Sequence, residues 1–329
     1  MAYKFLNDTV RWGIIGCGDV CEVKSGPAFN KVPNSKLVAV MRRDAEKVKD
    51  YAVRHGVPKF YTDADQLIND DEINAIYIAT PPASHETYAL QAMKAGKPVY
   101  IEKPLTTNSA SCERMIAAEK KYELPAVCAH YRRALPLYLK VRSLVNEGAI
   151  GNVRLIDLRL YQSPTVNIIA KTDVNWRVNP ELSGGGLFHD LAPHQLDILY
   201  WLFGEPVSYH GRSLNQSAAY HAPDVTSLEV LFGKDILMQG LWAFQVSSSA
   251  VEECCKIIGD KGHLSFSFFK NPVLEISTST GTEHIEFQYP ANIQQPMIEQ
   301  AVRYLRGEGA NPCSLEDALV TMKMMDSTL

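Results

Sequence analysis

Three things are missing from the 329 residues: a long apolar tract, a dense basic run and a Cys-x-x-Cys pair. No stretch reaches the roughly 18 apolar residues that a membrane-spanning helix needs. No Lys/Arg-rich run of about five or more occurs, and 33 basic against 37 acidic side chains leave a net charge of −4, so neither a nucleic acid nor an anionic membrane is implied as a partner. The seven cysteines are odd in number and scattered, with Cys254 and Cys255 adjacent, which argues against a disulfide framework and against a Cys-type metal site and suits a reducing cytoplasm. The opening residues Met1 to Asp8 carry no basic segment followed by an apolar run, so no secretion signal is expected.

What is present is a soluble globular composition, 46% apolar and 21% charged, in a chain long enough for two domains. Over residues 1–130, short apolar or β-branched runs alternate with helical patterns. Val10 to Ile15, Lys36 to Met41, Lys59 to Tyr61, Asn74 to Ala79, Pro98 to Ile101 and Pro125 to Ala129 read as strands. Asp44 to His55, Asp63 to Ile68, Ser84 to Ala95 and Asn108 to Tyr122 read as helices, with Asp44, Ser84 and Asn108 as N-caps. Runs such as Asn74-Ala75-Ile76-Tyr77-Ile78-Ala79 are apolar almost throughout, as expected when helices cover both faces of a parallel sheet.

The grammar changes after a helix around Leu135 to Asn146, so residues 131–329 form a second domain. Six runs joined by short turns predict a mainly antiparallel sheet: Val153 to Tyr161, Ser227 to Phe232, Ile236 to Phe244, Val251 to Gly259, His263 to Phe268 and Val273 to Ser277. One helix, Asp190 to Phe203, interrupts them, and two more, about Ile293 to Arg306 and Ser314 to Met325, close the chain and are expected to pack back on the first domain. The fold class is therefore α/β, a doubly wound parallel sheet, followed by an α+β domain.

Directly after the first strand comes Gly16-Cys17-Gly18-Asp19-Val20-Cys21. It fits the first two positions of the dinucleotide fingerprint Gly-x-Gly-x-x-Gly and puts a small Cys at the third. Gly16 suits the tight turn, Gly18 lets backbone approach a pyrophosphate, and the helix that follows would aim N–H groups at the phosphates. The second strand ends in Arg42-Arg43 rather than in the carboxylate that reads a 2′-hydroxyl. A guanidinium pair matches a 2′-phosphate, so NADP(H) is favoured over NAD(H), with Asp44 as the alternative reader of the ribose.

On the helix from Asp190, the residues Asp190, His194, Asp197 and Trp201 fall within about 60° of one another, beside the stripe of Leu191, Ile198 and Leu202. Carboxylates one turn to either side of His194 would favour its protonated form, and an imidazole is suited to proton exchange at neutral pH. The bland reading makes Asp190 the helix N-cap, with Pro193 in the first turn. A metal site from His189, Asp190, His194 and Asp197 is disfavoured, because consecutive residues point apart.

The stretch Ala79-Thr80-Pro81-Pro82-Ala83-Ser84-His85, the Glu102-Lys103-Pro104 run, Trp176-Arg177, the triple Gly184-Gly185-Gly186 and Asp190-x-x-x-His194 with Asp197 together resemble the inositol dehydrogenase and glucose-fructose oxidoreductase family, Gfo/Idh/MocA, over nearly the whole chain. The resemblance implies a Rossmann domain, a nicotinamide cofactor and redox chemistry at a sugar, cyclitol or polyol carbon. It implies catalysis by Lys103, Asp190 and His194. It implies cofactor contacts from Gly16, Cys17, Gly18, Asp19, Val20, Arg42, Arg43, Thr80, Pro81, His85, Glu102, Lys103, Arg132, Trp176 and Arg177, and substrate contacts from Lys103, Arg132, Trp176, Asp190 and His194. It also raises a cis peptide at Lys103-Pro104 and a homodimer or homotetramer. Two rival activities exist on this family's fold: an NAD-dependent glycosidase and a non-catalytic sensor.

Overall fold

The computed structural model describes residues 9–164 and 176–329; Met1 to Asp8, read above for a leader, lie outside them. Two compact units form: one comprises the chain up to Arg132 together with Pro290–Leu319, the other Arg133–Tyr289 together with Val320–Leu329.

In the first unit, β1 (Val10–Ile15), β2 (Ser35–Met41), β3 (Lys59–Tyr61), β4 (Ala75–Ile78), β5 (Val99–Ile101) and β6 (Ala126–Cys128) make one parallel sheet in the order β3-β2-β1-β4-β5-β6. Every residue of β4, β5 and β6 is buried, which is why these runs show no polar alternation. The strand order reverses between β1 and β4, the place where doubly wound sheets bind ligands at their carboxyl ends. The helices are α1 (Asp19–Val23), α2 (Ala45–His55), α3 (Ala64–Ile68), α4 (His85–Lys94) and α5 (Ser109–Tyr122). Asp44, Asp63 and Asn108 cap theirs, accepting from the backbone N–H of Lys47, Gln66 and Ser111. Ser84 occupies the cap position of α4 without capping it; its hydroxyl bonds Thr80 Oγ1 and the Pro81 carbonyl instead.

The second unit contains α6 (Pro136–Asn146), β7 (Val153–Tyr161), α7 (Pro180–Ser183), α8 (Leu187–Phe203), β8 (Pro206–Leu214), β9 (Val225–Phe232), β10 (Ile236–Ala243), β11 (Glu252–Gly259), β12 (Gly262–Phe266), β13 (Val273–Thr278) and β14 (Gly281–Glu286). Its eight strands run β14-β13-β12-β11-β7-β10-β9-β8, antiparallel except for β7 with β10. Two of them, β8 and β14, were not expected from sequence. Both are edges, and the side chains of β14 are mostly exposed, so neither carries a buried apolar run. One face alternates inward through Ile156, Leu158, Leu160, Leu228, Val230, Met238, Trp242, Cys255 and Ile257. Against it lies α8, its Phe188 ring edge-on to Trp242 at 4.9 Å and its Gln195 Oε1 accepting from Trp242 Nε1 at 2.7 Å. The opposite face leaves Leu155 and Leu241 exposed. The chain closes with α9 (Gln295–Leu305) and α10 (Leu315–Asp326). No helix among the described residues is long and apolar enough to cross a membrane.

Candidate active site

In the first unit the site is built on turns. Gly16 sits at φ 93°, and a Cβ there would fall 2.6 Å from Thr80 Cγ2 and 2.8 Å from Thr80 N, so only glycine lets the turn after β1 meet the turn after β4. At Gly18 a Cβ would meet nothing within 4 Å; backbone there faces open space, the cradle a pyrophosphate requires. The N–H groups of Gly16 and Cys17 donate to the Met41 carbonyl at 2.9 and 3.2 Å, tying the turn to the end of β2. The helix α1 that follows is only five residues long, with Asp19 exposed and Val20 half-buried. Cys21, at the third fingerprint position, is fully buried and its thiol donates to the Gly16 carbonyl at 3.8 Å. Burial pushes the Cys17 thiol up to about 11 and holds the Cys21 thiol well above its ordinary value, so both stay protonated packing groups.

At the end of β2, Arg42 is half-buried and its Nη1 lies 3.5 Å from the Cys17 carbonyl, while Arg43 is exposed. The Asp44 carboxylate is turned to α2, where Oδ1 accepts from Lys47 N at 3.0 Å. Thr80 and Pro81 are half-buried at the end of β4.

Two residues expected at the cofactor are buried and bonded within the first unit. His85 is fully buried: Nε2 lies 2.7 Å from the Thr80 carbonyl, and Nδ1 lies 3.2 and 3.1 Å from the carbonyls of Pro104 and Leu105. Glu102 is buried too, its Oε1 accepting from Tyr77 Oη at 2.5 Å and Gln294 Nε2 at 2.7 Å, and its Oε2 from Lys103 N at 3.2 Å. Lys103, the residue after Glu102, is half-buried. The Lys103-Pro104 peptide is cis. Arg132 is buried with its guanidinium 5.4 Å above the Tyr131 ring.

In the second unit the site is built on a helix. Trp176 and Arg177 form a short 3-10 turn Trp176–Val178, with the Arg177 guanidinium 4.6 Å from the Trp176 ring and its Nε 2.9 Å from Asp190 Oδ2. Asp190 is not the cap of α8. The helix starts three residues earlier, at Leu187, with Gly186 at the cap position and φ 78°, so Pro193 stands inside it rather than in the first turn. The space is made by glycine, since a Cβ on Gly185 would fall 2.1 Å from His189 Nδ1 and one on Gly186 2.5 Å from Ala222 Cβ. His189 is wholly buried, which pulls its pKa down to about 4.

His194 is nearly buried, its ring edge-on to Phe269 at 5.8 Å. The two carboxylates expected to act on it are each claimed by an arginine: Asp190 by Arg177, and Asp197 by Arg133, whose Nη2 and Nε donate to Oδ1 and Oδ2 at 2.7 and 3.0 Å in a fully buried pair. Both carboxylates that flank His194 on the helix are thus also paired with an arginine. Two supports were not anticipated. Arg133, next to Arg132 in the chain, holds Asp197. Glu253, buried on β11, accepts from Ser267 Oγ and from the N–H groups of Phe268 and Phe269, fixing the segment whose Phe269 meets His194. Glu253 lies in a strand pattern that carries no sign of this.

Residues 10–130 match the family described as "Oxidoreductase family, NAD-binding Rossmann fold", and residues 138–265 match the GFO/IDH/MocA C-terminal domain. The chain is 45% identical to Oxidoreductase P35 of Formosa agariphila over 98% of each chain. It is 32% identical to the inositol 2-dehydrogenase of Acidothermus cellulolyticus over 59% of this chain and 54% of that one. The crystal structure of the aldose-aldose oxidoreductase of Caulobacter crescentus, complexed with glycerol, superposes with a TM-score of 0.83 at 22% identity, covering 97% and 96% of the two chains; that likeness is one of fold.

Proposed function

The chain belongs to the GFO/IDH/MocA oxidoreductase family, and we propose that it moves a hydride between a nicotinamide and a secondary alcohol or carbonyl carbon of a sugar, cyclitol or related polyol, with NADP(H) preferred to NAD(H). The observation that carries this reading is the row of turns at the carboxyl ends of adjacent strands: open backbone at Gly18 after β1, Thr80 after β4 and Lys103 after β5. These residues fit a dinucleotide. The bound cofactor would supply or take up the hydride. Gly16 to Val20 would hold its pyrophosphate, and Thr80, Pro81, Arg132, Trp176 and Arg177 would line its remainder.

The remaining chemistry belongs to side chains. Lys103 Nζ would stabilise the charge that develops on the reacting oxygen, and a ring nitrogen of His194 would take that oxygen's proton in oxidation and return it in reduction. Asp190, held by Arg177, would orient substrate hydroxyls, with Arg132 and Trp176 beside them. The preference for NADP(H) follows from Arg42 and Arg43, and is strengthened because Asp44 spends its carboxylate on the cap of α2. The inositol 2-dehydrogenase and the aldose-aldose oxidoreductase support the substrate class. The exposed Leu155 and Leu241 on the uncovered sheet face support a homodimer or homotetramer. Seven free cysteines, six of them buried, suit a reducing cytoplasm.

The test is a parallel fluorescence titration with NADPH and NADH, followed by a screen of sugars and polyols with the tighter cofactor. Tighter NADPH binding that is lost in Arg42→Ala is the expected result. Equal or tighter NADH binding overturns the preference, and failure of both to bind overturns the enzyme reading.

A further inference from the structure

His85 is used by neither the proposed chemistry nor the cofactor cradle, yet it is one of the most thoroughly engaged side chains of the first unit. Its fully buried ring lies between two turns, with the Thr80 carbonyl 2.7 Å from Nε2 on one side and the Pro104 and Leu105 carbonyls 3.2 and 3.1 Å from Nδ1 on the other. Thr80 is the residue against which Gly16 is packed, and Pro104 follows Lys103 directly. From the other side the same turn is gripped by Glu102, which accepts from Lys103 N.

We propose that His85 is a positioning residue: one imidazole clips the turn after β4 to the turn after β5 and so fixes Lys103 against the glycine turn. The inference rests on the reading of Lys103 given above and extends it from the reacting group to what places it. A histidine suits the task because its two ring nitrogens point to opposite sides of a rigid plane, so that a single residue reaches two backbones that neither Asn nor Gln could span. Burial is the largest influence and lowers its pKa, against the three carbonyls, which favour a proton on the ring; a neutral ring donates from one nitrogen only, so it bonds one turn and packs against the other. The stake is precision, since misplacing a reacting group by about 1 Å costs on the order of 10²-fold in rate, and groups of this kind are held by buried hydrogen-bonded neighbours.

Asn and Gln separate the two arms, because an Asn amide nitrogen falls near the place of Nδ1 and a Gln amide nitrogen near that of Nε2. The experiment measures the reactivity of Lys103 with acetic anhydride, relative to every other lysine, by peptide mass spectrometry in His85→Asn, His85→Gln and His85→Phe, together with NADPH and NADH affinity by fluorescence. The expected result is a change of about threefold or more at Lys103 alone in all three variants, since each loses at least one side of the clip, with cofactor affinity retained. Three outcomes overturn the proposal. One is unchanged Lys103 labelling in any of the three, another a change spread over all lysines, and the third a loss of cofactor affinity with labelling intact, which would make His85 a cofactor ligand. Should Phe not fold, the Asn and Gln pair decides alone. Turnover of Lys103→Met across the sugar and polyol screen tests the underlying reading separately: full activity there removes Lys103 from the chemistry while the labelling still judges the clip.

Discussion

The two units hold their candidate functional groups by different means. In the first, Gly16, Thr80 and Lys103 stand on turns at strand ends, and the bonds that hold those turns run to backbone carbonyls of Met41, Thr80, Pro104 and Leu105. In the second, Asp190, His194 and Asp197 stand on α8, and two guanidinium–carboxylate pairs hold it. Backbone bonds between neutral groups are worth about 0.5–1.5 kcal/mol each, net, and losing one loosens a turn locally. A buried charge that loses its partner is a larger penalty and is felt by the whole unit. The first unit should therefore break in function before it breaks in stability, and the second the reverse.

The sharpest way to break that contrast is Asp197→Ala. With both partners of the pair almost inaccessible, at 5% and 1% exposure of their side chains, removing the carboxylate beside the buried Arg133 should cost about 3–5 kcal/mol, read from the shift in denaturant midpoint. Replacing both partners together, as Arg133→Met with Asp197→Leu, should recover most of the loss. A single variant as stable as the parent would show that the pair does not hold α8.

The next effect is kinetic. Lys103→Ala and His194→Ala should each lower turnover by about 10² or more, measured at saturating cofactor with the best substrate of the screen, while the denaturant midpoint of Lys103→Ala stays near that of the parent. Near-normal turnover in both variants would remove these two residues from the reaction.

A smaller effect separates the units by the sign of a pH slope. In the first, Glu119 on α5 is pushed up to about 7, first by burial and then by Glu316. Unfolded it would ionise near its ordinary 4.5. Its contribution is therefore complete below that value and is lost as pH rises toward 7. In the second, burial holds His189 down at about 4 against an ordinary 6.5, so its contribution is complete above 6.5 and is lost as pH falls toward 4. Each slope reaches about 1.4 kcal/mol per pH unit at its steepest. Thermal melts from pH 4 to 8 should show the two slopes opposing one another between 4.5 and 6.5 when the units unfold together. Glu119→Gln should steepen the loss of stability on the acid side, and His189→Gln should remove it. A Glu119→Gln profile that runs parallel to the parent's would dismiss the carboxyl as a buried, proton-retaining group.

The same contrast explains what could be read before any coordinates. In the first unit, β1 and β3 match their expected bounds residue for residue, and α2 and α5 begin after the expected caps Asp44 and Asn108. Burial on both faces and side-chain capping both leave marks in local sequence. The edge strands β8 and β14 left none, because an edge that buries little needs no apolar pattern. At the site, spacing exposed the glycine turn, the Lys103 turn and the stripe on α8. Pairings were hidden: Arg133 reaches Asp197 across 64 positions and Gln294 reaches Glu102 across 192. The inward turn of His85 and Glu102 was hidden too, because motif spacing names a residue without saying which way its side chain points.

The smallest effect concerns the face that the second unit leaves bare. Leu241 is 38% exposed and Leu155 48%, on β10 and β7, which are paired parallel with Leu241 opposite Arg159 and Leu155 opposite Leu237. Leu241→Lys on a lone chain exchanges one partly wet apolar side chain for a charged one, and surface changes of this kind stay within about 0.5 kcal/mol. On a covered face the same change buries an unpaired ammonium, which costs far more than the exchange of exposed surface. Light scattering at high concentration should therefore register it strongly, as a mass falling from a multiple of the chain to a single chain, while the unfolding midpoint at high dilution barely moves. A parent that already has the mass of one chain would instead make the eight-stranded sheet a solvated surface, and would leave its exposed leucines as the scattered apolar residues that any protein surface carries.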